Sequence, residues 1–409
     1  MILSERDESY LSGDHGRGAA RAMKVLLGAA KAMGAHRLLD ISSAHVDGCL
    51  YHGRASLDFA RSLGEGGAKV SVPTTLNVGS LDLLHPDLVR LDEDERAASR
   101  SLMETYVALG CRATWTCAPY QLVERPNVGE QIAWAESNAI VFANSVLGAR
   151  TERYGDFMDI CAAVTGRAPA TGLHLDEGRL ATLVVSVDSV ADHLDHESMY
   201  PLIGFLLGRL AGTEVAALTG LPSSTTEDQL KALGAAAASS GAVAMFHAVG
   251  LTPEAPDLAT ATGGKSVRML EIDADMVWRA RQTLSTTSGG RVDAVSLGTP
   301  HYSHAEIQEV CRLLDGRTCS VPLYVSTGRD VLEQLDDAHR RALEISGVTM
   351  VIDTCTYITP ILAGGVGVVM TDSAKWAYYA PSNLGVDVIF GSVAACVESA
   401  VAGHWVDPS

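Results

Sequence analysis

Short apolar strands that each run into a polar or glycine-containing loop recur along the chain, with helical stretches between them. Strands that are apolar on both faces and separated by helices form parallel sheets covered on both sides. The pattern therefore predicts an α/β fold of several lobes, with mostly parallel sheets flanked by helices. The predicted strands are Arg37–Ile41, Ala68–Val72, Arg112–Thr116, Val292–Leu297, Val348–Ile352, Val366–Met370 and Val386–Phe390.

The chain has 409 residues, which is more than one domain usually holds. We divide it into approximate lobes of residues 1–66, 67–210, 211–330 and 331–409. In open α/β sheets, ligands bind beyond the carboxyl ends of the strands, where loops and helix N-termini converge. We therefore expect the active site at those strand ends.

The charge of the chain excludes some classes of partner. A net charge of −18 argues against nucleic acid, which needs clustered Lys and Arg. The long uncharged stretch Ala232–Leu251 contains several Gly and His247, so it is predicted to be a helix end, a turn and a strand rather than a membrane span. The first ten residues lack the basic and apolar regions of a secretory signal, so we expect a cytoplasmic protein.

The segment Asn127–Arg150 carries an unusual stripe of polar residues. If a helix begins at Glu130, its 3.6-residue period places five polar residues on one side, namely Glu130, Ser137, Asn138, Asn144 and Ser145. Ser and Asn are poor helix-interior residues, so the stripe indicates packing against a ligand or within a buried polar network. Arg150, near the end of the segment, could bind a carboxylate through two hydrogen bonds.

Three of the eight cysteines lie where loops follow strands. Cys117 and Cys355 come directly after predicted strands, and Cys396 lies in a helix start after another. Thiolates from separate loops at one sheet edge suit an iron-sulfur cluster or zinc, whereas a lone Cys is usually a small buried hydrophobe. Three histidines, His45, His301 and His304, flank the same loops and could be ligands, acids or surface imidazoles.

Lys375 follows an apolar strand and precedes aromatic residues. Partial burial there would make it an anchor for a carboxylate or a base with a lowered pKa. A solvated surface charge is the alternative.

Together these residues resemble the large subunit of aconitase X, a branch of the aconitase superfamily. The resemblance covers most of the chain. It runs through Asp40–His45, Pro73–Asn77, Cys117–Tyr120, Gly129–Arg153, His247–Ala255, Gly298–His301 and Ser373–Tyr379.

The resemblance implies a large catalytic body with an iron-sulfur cluster that acts as a Lewis acid toward a departing hydroxyl. It also implies a small swivelling domain, expected here as a separate subunit because no such segment is visible in this chain. Archaeal relatives tend to carry Cys where this chain has Thr299. Because Thr299 cannot supply a thiolate, we expect the smaller 2Fe-2S cluster, with 3Fe-4S and 4Fe-4S as alternatives. Otherwise Cys396 would supply the third thiolate in place of residue 299.

We thus hypothesise a hydro-lyase that dehydrates a small carboxylate, with cis-3-hydroxy-L-proline preferred over mevalonate 5-phosphate. A non-catalytic binding subunit that has lost its cluster is the rival from another class. The catalytic candidates are His45, Lys375 and Glu130, and the metal ligands are Cys117, Cys355 and Cys396. The substrate-binding candidates are Ser43, Thr75, Asn77, Tyr120, Gln121, Ser137, Asn138, Asn144, Ser145 and Arg150.

Overall fold

Helices and short strands alternate along the chain, as the computed structural model shows for the residues it describes, 1–406. They form two units. The first contains Met1–Leu81, Leu91–Leu180 and Thr252–Glu254, and the second contains Asp82–Arg90, Ala181–Leu251 and the residues from Ala255 onward. The predicted α/β class is confirmed. The boundaries of the four lobes stay a prediction.

The first unit contains two small sheets. Its strands are β1 (Leu38–Asp40), β2 (Ala44–Val46), β3 (Thr74–Leu76), β4 (Ala133–Trp134) and β5 (Arg167–Pro169). Three of them form a parallel sheet in the order β3-β2-β4, and β1 pairs with β5. Its helices are α1 (Glu5–Ser12), α2 (Arg17–Ala32), α3 (Arg54–Glu65), α4 (Glu93–Ala108), α5 (Ser137–Phe142), α6 (Met158–Thr165) and α7 (Asp176–Arg179).

Three predicted strands of the first unit are wrong in detail. The segment Arg37–Ile41 contains β1, but this strand pairs antiparallel with β5 and is not part of a βα unit of the parallel sheet. Ala68–Val72 forms no strand, and β3 begins only after Pro73. Arg112–Thr116 makes one isolated bridge, because a turn and the positive φ of Trp115 (45°) interrupt the extended backbone.

The second unit contains two larger sheets, both parallel, in the orders β8-β7-β6-β9 and β12-β11-β10-β13-β14. Its strands are β6 (Leu183–Ser186), β7 (Ala216–Thr219), β8 (Phe246–Ala248), β9 (Arg268–Glu271), β10 (Ala294–Tyr302), β11 (Leu323–Thr327), β12 (Val348–Ile352), β13 (Val368–Thr371) and β14 (Asp387–Phe390). Its helices are α8 (Met199–Ala211), α9 (Glu227–Ser240), α10 (Leu258–Thr262), α11 (Ala274–Leu284), α12 (His304–Leu314), α13 (Arg329–Gln334), α14 (Asp337–Ile345), α15 (Ala374–Leu384) and α16 (Val393–Ala402).

The central strand β10 explains why this sheet was predictable. All nine of its residues are buried, as expected for a strand covered on both faces. Side chains of α12 and α16 pack with it in one aliphatic core. Ser303, Ser373 and Ser392 cap the helices that follow β10, β13 and β14, so each strand passes into its helix through a short polar turn.

The stretch Ala232–Leu251 contains the end of α9 and the strand β8, as predicted. Among the helices of residues 1–406, none is long and apolar enough to cross a membrane.

Candidate active site

Polar residues that follow the three parallel strands of the first unit meet at one edge of its sheet. β2 pairs with β3 and β4, and His45 lies opposite Thr75. His45 also pairs with Trp134, so His45, Thr75 and Trp134 lie side by side in the sheet. Two residues further along the three chains are Asp47, Asn77 and Glu136, which therefore all lie at the carboxyl edge of the sheet. The side-chain amide of Asn77 donates a hydrogen bond to the carboxylate of Asp47. We call this group the carboxyl-edge cluster.

Cys117 lies beside the same edge. The backbone N–H of Thr116 donates to the carbonyl of Leu76 at 3.1 Å, which places Cys117 next to the end of β3. Asn138 then holds the loop, because its Nδ2 donates to the Cys117 carbonyl at 3.0 Å and its Oδ1 accepts from the Tyr120 hydroxyl at 2.6 Å. Cys117 is buried, with 4% of its surface exposed.

Glu136 occupies a strained position that the sequence did not reveal. Its φ is +75°, which is rare for a residue with a side chain and is most often kept at functional sites. Its carboxylate caps α5 by accepting from the Ala139 N–H at 2.8 Å, and it also accepts from Asn138. The predicted helix start at Glu130 is therefore wrong: the helix begins at Ser137, because β4 and this cap intervene.

Burial raises the pKa of two carboxyl groups near this edge. Burial and the nearby charges of Glu136 and Asp156 raise the pKa of Asp47 to about 8. Burial, and to a smaller extent the negative charge of Asp156, raises the pKa of Asp159 to about 7. Asp159 accepts from the backbone N–H groups of Asp47 at 2.7 Å and Gly48 at 3.2 Å, so it fixes the chain beyond β2.

His45 is fully buried within the sheet. Burial lowers its pKa to about 3, so the ring is neutral near pH 7. Its Nδ1 lies 2.8 Å from the Thr75 hydroxyl, and its Nε2 has no hydrogen-bond partner among the described residues. A ring with so low a proton affinity is suited to accepting or donating a hydrogen bond and is a poor general base.

Other predicted residues lie at the opposite, amino edge of this sheet. A cavity of about 180 Å³ is lined there by Ser43, Thr75, Glu130, Arg112 and Arg125, among others. Burial opposes ionisation of Glu130, but hydrogen bonds from Asn127 and Ser42 outweigh it and lower the pKa. These contacts anchor the loop that carries Glu130.

The end of the polar stripe belongs to a buried network. Asn144 donates to the Thr151 carbonyl at 2.9 Å, accepts from the Thr151 N–H at 3.0 Å and accepts from Arg179 at 3.1 Å. Arg150 forms an ion pair with Asp176 at 2.5 Å. Ser145 is buried beside Asn144, and Gln121 is partly buried in a short 3₁₀ turn.

In the second unit, His301 and Cys355 form a pair of soft donors. Both are buried, and a ring nitrogen of His301 lies within 4.8 Å of the Cys355 sulfur. Nε2 of His301 lies 3.2 Å from the carbonyl of Thr354. Because a carbonyl only accepts, Nε2 carries the proton and Nδ1 carries the lone pair. Burial, together with the charges of Lys231 and Lys375, lowers the pKa of His301 to about 4.

This arrangement fits a metal centre. A histidine that ligates a metal usually donates its other N–H to a carbonyl or carboxylate, as His301 does. Ligands of one tetrahedral metal ion lie roughly 3–4 Å apart, which is compatible with the His301–Cys355 separation. Thiolate and imidazole donors favour iron-sulfur centres, zinc or copper over magnesium and calcium.

Lys375 lies in the first turn of α15 and has only 3% of its surface exposed. The alternative of a solvated surface charge therefore does not hold. Its ammonium is close enough to His301 to lower the pKa of that ring. Ser373, which caps α15, donates a hydrogen bond to the Thr299 carbonyl and ties the helix start to β10.

Cys396 is placed differently from Cys355. It packs in the aliphatic core of the second unit with residues such as Val295 and Leu297. Burial, then the negative charges of Asp372 and Glu197, raise the pKa of its thiol well above the usual value. Among the described residues, His301 and Cys355 belong to the group of side chains that could hold a metal ion, and Cys396 does not.

Three family models match the chain in succession. Residues 1–177 match the aconitase X first domain, residues 181–282 the second domain and residues 292–402 the third domain. The chain belongs to the aconitase X family. The crystal structure of Thermococcus kodakaraensis aconitase X in its holo-form matches with a TM-score of 0.88 and 32% identity, covering 98% of this chain and 100% of that one.

Two curated relatives give the family an activity. A cis-3-hydroxy-L-proline dehydratase of Pseudomonas aeruginosa is 43% identical over 98% of this chain and 70% of the relative. A phosphomevalonate dehydratase large subunit of Methanothermobacter thermautotrophicus is 36% identical over 95% of this chain and 96% of the relative. This aconitase X chain is accordingly a dehydratase, a carbon-oxygen lyase, and the resemblance seen in the sequence is confirmed.

Proposed function

We propose that this aconitase X chain is the large, catalytic subunit of a dehydratase that acts on cis-3-hydroxy-L-proline. The observation that carries the proposal is its 43% identity with the bacterial cis-3-hydroxy-L-proline dehydratase, against 36% with the archaeal phosphomevalonate dehydratase large subunit. Loss of the hydroxyl from C3 and of the hydrogen from C2 would give an enamine, which tautomerises to a cyclic imine acid.

The reaction makes two chemical demands. The carbon-bound proton is weakly acidic, so its removal needs a base and stabilisation of the charge that develops on the carboxylate. Hydroxide is a poor leaving group, so its departure needs a metal or an acid.

Cys117, Cys355 and His301 are the residues that we propose to hold an iron-sulfur cluster. Thiolates and neutral imidazoles are both known cluster ligands. When bound, the cluster supplies Lewis acidity toward the departing hydroxyl. We favour 2Fe-2S, because Thr299 stands where a further thiolate would support 3Fe-4S or 4Fe-4S. Cys396, in its aliphatic core, is the second choice for a third protein ligand.

Lys375 is our candidate for binding the substrate carboxylate. A buried ammonium there would stabilise the negative charge that grows as the C2 proton leaves. For the general base we favour Glu136 over Glu130, since Glu136 lies at the same sheet edge as Cys117. His45 would act through hydrogen bonding, in keeping with its neutral ring.

A small swivelling subunit is the partner that we propose, and the cytoplasm is the compartment. The printed name of the archaeal relative, a large subunit, supports the first point. No disulfide joins the eight cysteines, all of which lie within the described residues, and this is usual in a reducing compartment.

Mevalonate 5-phosphate remains the second candidate substrate, since the chain spans 96% of the archaeal large subunit but 70% of the bacterial dehydratase. The deciding experiment is anaerobic purification with the small partner, followed by nuclear magnetic resonance of each reaction mixture. We expect cis-3-hydroxy-L-proline to be consumed and the trans isomer to be untouched. Faster turnover of mevalonate 5-phosphate, or no turnover at all, would refute the proposal.

A further inference from the structure

More carboxyl groups lie at and beside the carboxyl-edge cluster than a single proton-transfer step requires. The charges of Glu136, Asp156 and Asp159 all raise the pKa of the Asp47 carboxyl, and the charge of Asp47 in turn raises the pKa of the Cys49 thiol. Among the described residues, neither Asp47 nor Asp159 forms an ion pair with a basic side chain. Asp159 is fully buried and Asp47 is partly buried, so this pair of neighbouring carboxyls is costly to ionise unless a positively charged group joins it.

One hydrogen-bond acceptor of the carboxyl-edge cluster, the Oδ1 of Asn77, lacks a donor among the described residues. Asn77 is 3% exposed, and within residues 1–406 its Oδ1 has no hydrogen-bond partner, although the Nδ2 of the same amide donates to Asp47. Buried amide oxygens nearly always accept a hydrogen bond. The Asp47 carboxyl, which accepts from Asn77 Nδ2, therefore lies next to a carbonyl oxygen that still lacks a donor.

The backbone explains why these two acceptors stand side by side. The N–H of Asn77 donates to the carbonyl of Val46 at 2.9 Å, which fixes Asn77 next to Asp47 at the end of the sheet. The N–H of Asp47 is in turn held by Asp159. Both side chains thus project from anchored strand ends, which is the pre-organisation that a specific binding site needs.

We propose that Asp47 and Asn77 bind the positively charged ring nitrogen of a cyclic amino-acid substrate. A secondary ammonium carries two N–H donors and one positive charge, and the pair offers two acceptors within a negative field. One N–H would go to the Asp47 carboxylate and the other to Asn77 Oδ1. This inference rests on the proposed function and deepens it, because a phosphorylated hydroxy acid has no such nitrogen and would be repelled by the same carboxylates.

Kinetics of the anaerobically purified enzyme, with its small partner, provide the first test. Asp47→Asn keeps the shape of the side chain and removes its charge. We expect its KM for cis-3-hydroxy-L-proline to rise about 10- to 100-fold, the range for hydrogen bonds to charged groups, with a much smaller change in kcat. Asp58→Asn, on an exposed face of α3, is the matched control and should leave both constants unchanged.

Binding without turnover provides the second test. L-Proline and tetrahydrofuran-2-carboxylate differ at the ring atom, NH₂⁺ against oxygen. The wild type should bind L-proline at least tenfold more tightly, and Asp47→Asn should lose that preference. Calorimetry at pH 7 in two buffers of different ionisation enthalpy should detect release of close to one proton with L-proline, because a cation beside Asp47 lowers its raised pKa, and none with the ether.

The two tests separate the inference from the proposed function. An enzyme that fails to dehydrate cis-3-hydroxy-L-proline but keeps an Asp47-dependent preference for L-proline would overturn the function and support the inference. Equal KM values for wild type and a folded Asp47→Asn variant would overturn the inference. A sodium, potassium or magnesium site that Asp47→Asn abolishes, with the preference for L-proline intact, would also overturn it.

Discussion

Replacing Arg179 with Met removes a guanidinium that is 2% exposed and holds several groups of the first unit together. It donates to the backbone carbonyls of Leu173 at 2.8 Å, Asn144 at 3.0 Å and Ala149 at 3.0 Å. It also binds both carboxylate oxygens of Glu254, at 2.8 Å and 3.0 Å through Nε. Methionine fills a similar volume but satisfies none of these acceptors.

Breaking a buried pair of this kind costs about 3–5 kcal/mol, because the partners are left buried and unsatisfied. The free energies of the individual hydrogen bonds do not add, because these bonds share one side chain. For a unit of this size, such a loss lowers the midpoint of thermal unfolding by roughly 10 °C.

Circular dichroism during heating measures this midpoint. Arg312→Met is the control, because Arg312 is 67% exposed and pairs with Glu309 on the surface. We expect no resolvable shift for that variant. A midpoint for Arg179→Met within 2 °C of the wild type would refute the reasoning, since the network would then contribute nothing.

Three further predictions concern the site and its surroundings. Lys375→Gln should lower kcat/KM by about 100-fold, because the charged contact with the substrate carboxylate is lost. The iron content of this variant should be unchanged. Normal activity would exclude Lys375 from binding the carboxylate. The free energy of unfolding should fall as the pH rises from 6.5 to 8 in urea titrations, because Asp159 and Asp47 have folded-state pKa values of about 7 and 8, above the unfolded value of 3.8. The buried neutral rings of His45 and His301 oppose this trend only below the unfolded His pKa of 6.5. A rise between pH 6.5 and pH 8 would contradict these shifts. Cys396→Ala should unfold at lower urea but keep its iron, as expected for a core residue; loss of iron in a folded variant would restore Cys396 as a ligand.

One sheet of the second unit, in the order β12-β11-β10-β13-β14, was the most predictable from sequence, whereas no strand was predicted over β6, β7 or β9. Val348–Ile352 was predicted as a strand and is β12, and the other three predicted strands of that sheet overlap β10, β13 and β14. Long apolar runs with capped helices after them leave little ambiguity about the fold. Cys355 and Lys375 lie at the ends of those strands for the same reason.

The first unit was less predictable because its parallel strands have only two or three residues each. Strands this short give no periodic signal, so Ala68–Val72 was chosen in place of Thr74–Leu76. The same weakness hid β4 and led to the helix start at Glu130. Glu136 was missed because its role depends on a positive φ, which no residue pattern marks. Asp47 directly follows β2, and its importance follows only from the register that brings it beside Asn77.

The measurement that tests the central claim most directly is the iron and acid-labile sulfide content of the anaerobically purified chain and three variants, with the visible absorption spectrum of each. We predict a coloured wild type with iron and sulfide in equal amounts, loss of both in Cys355→Ala and Cys117→Ala, and retention of both in Cys396→Ala. A colourless wild type without iron, or a Cys355→Ala variant that keeps a full cluster, would contradict the account.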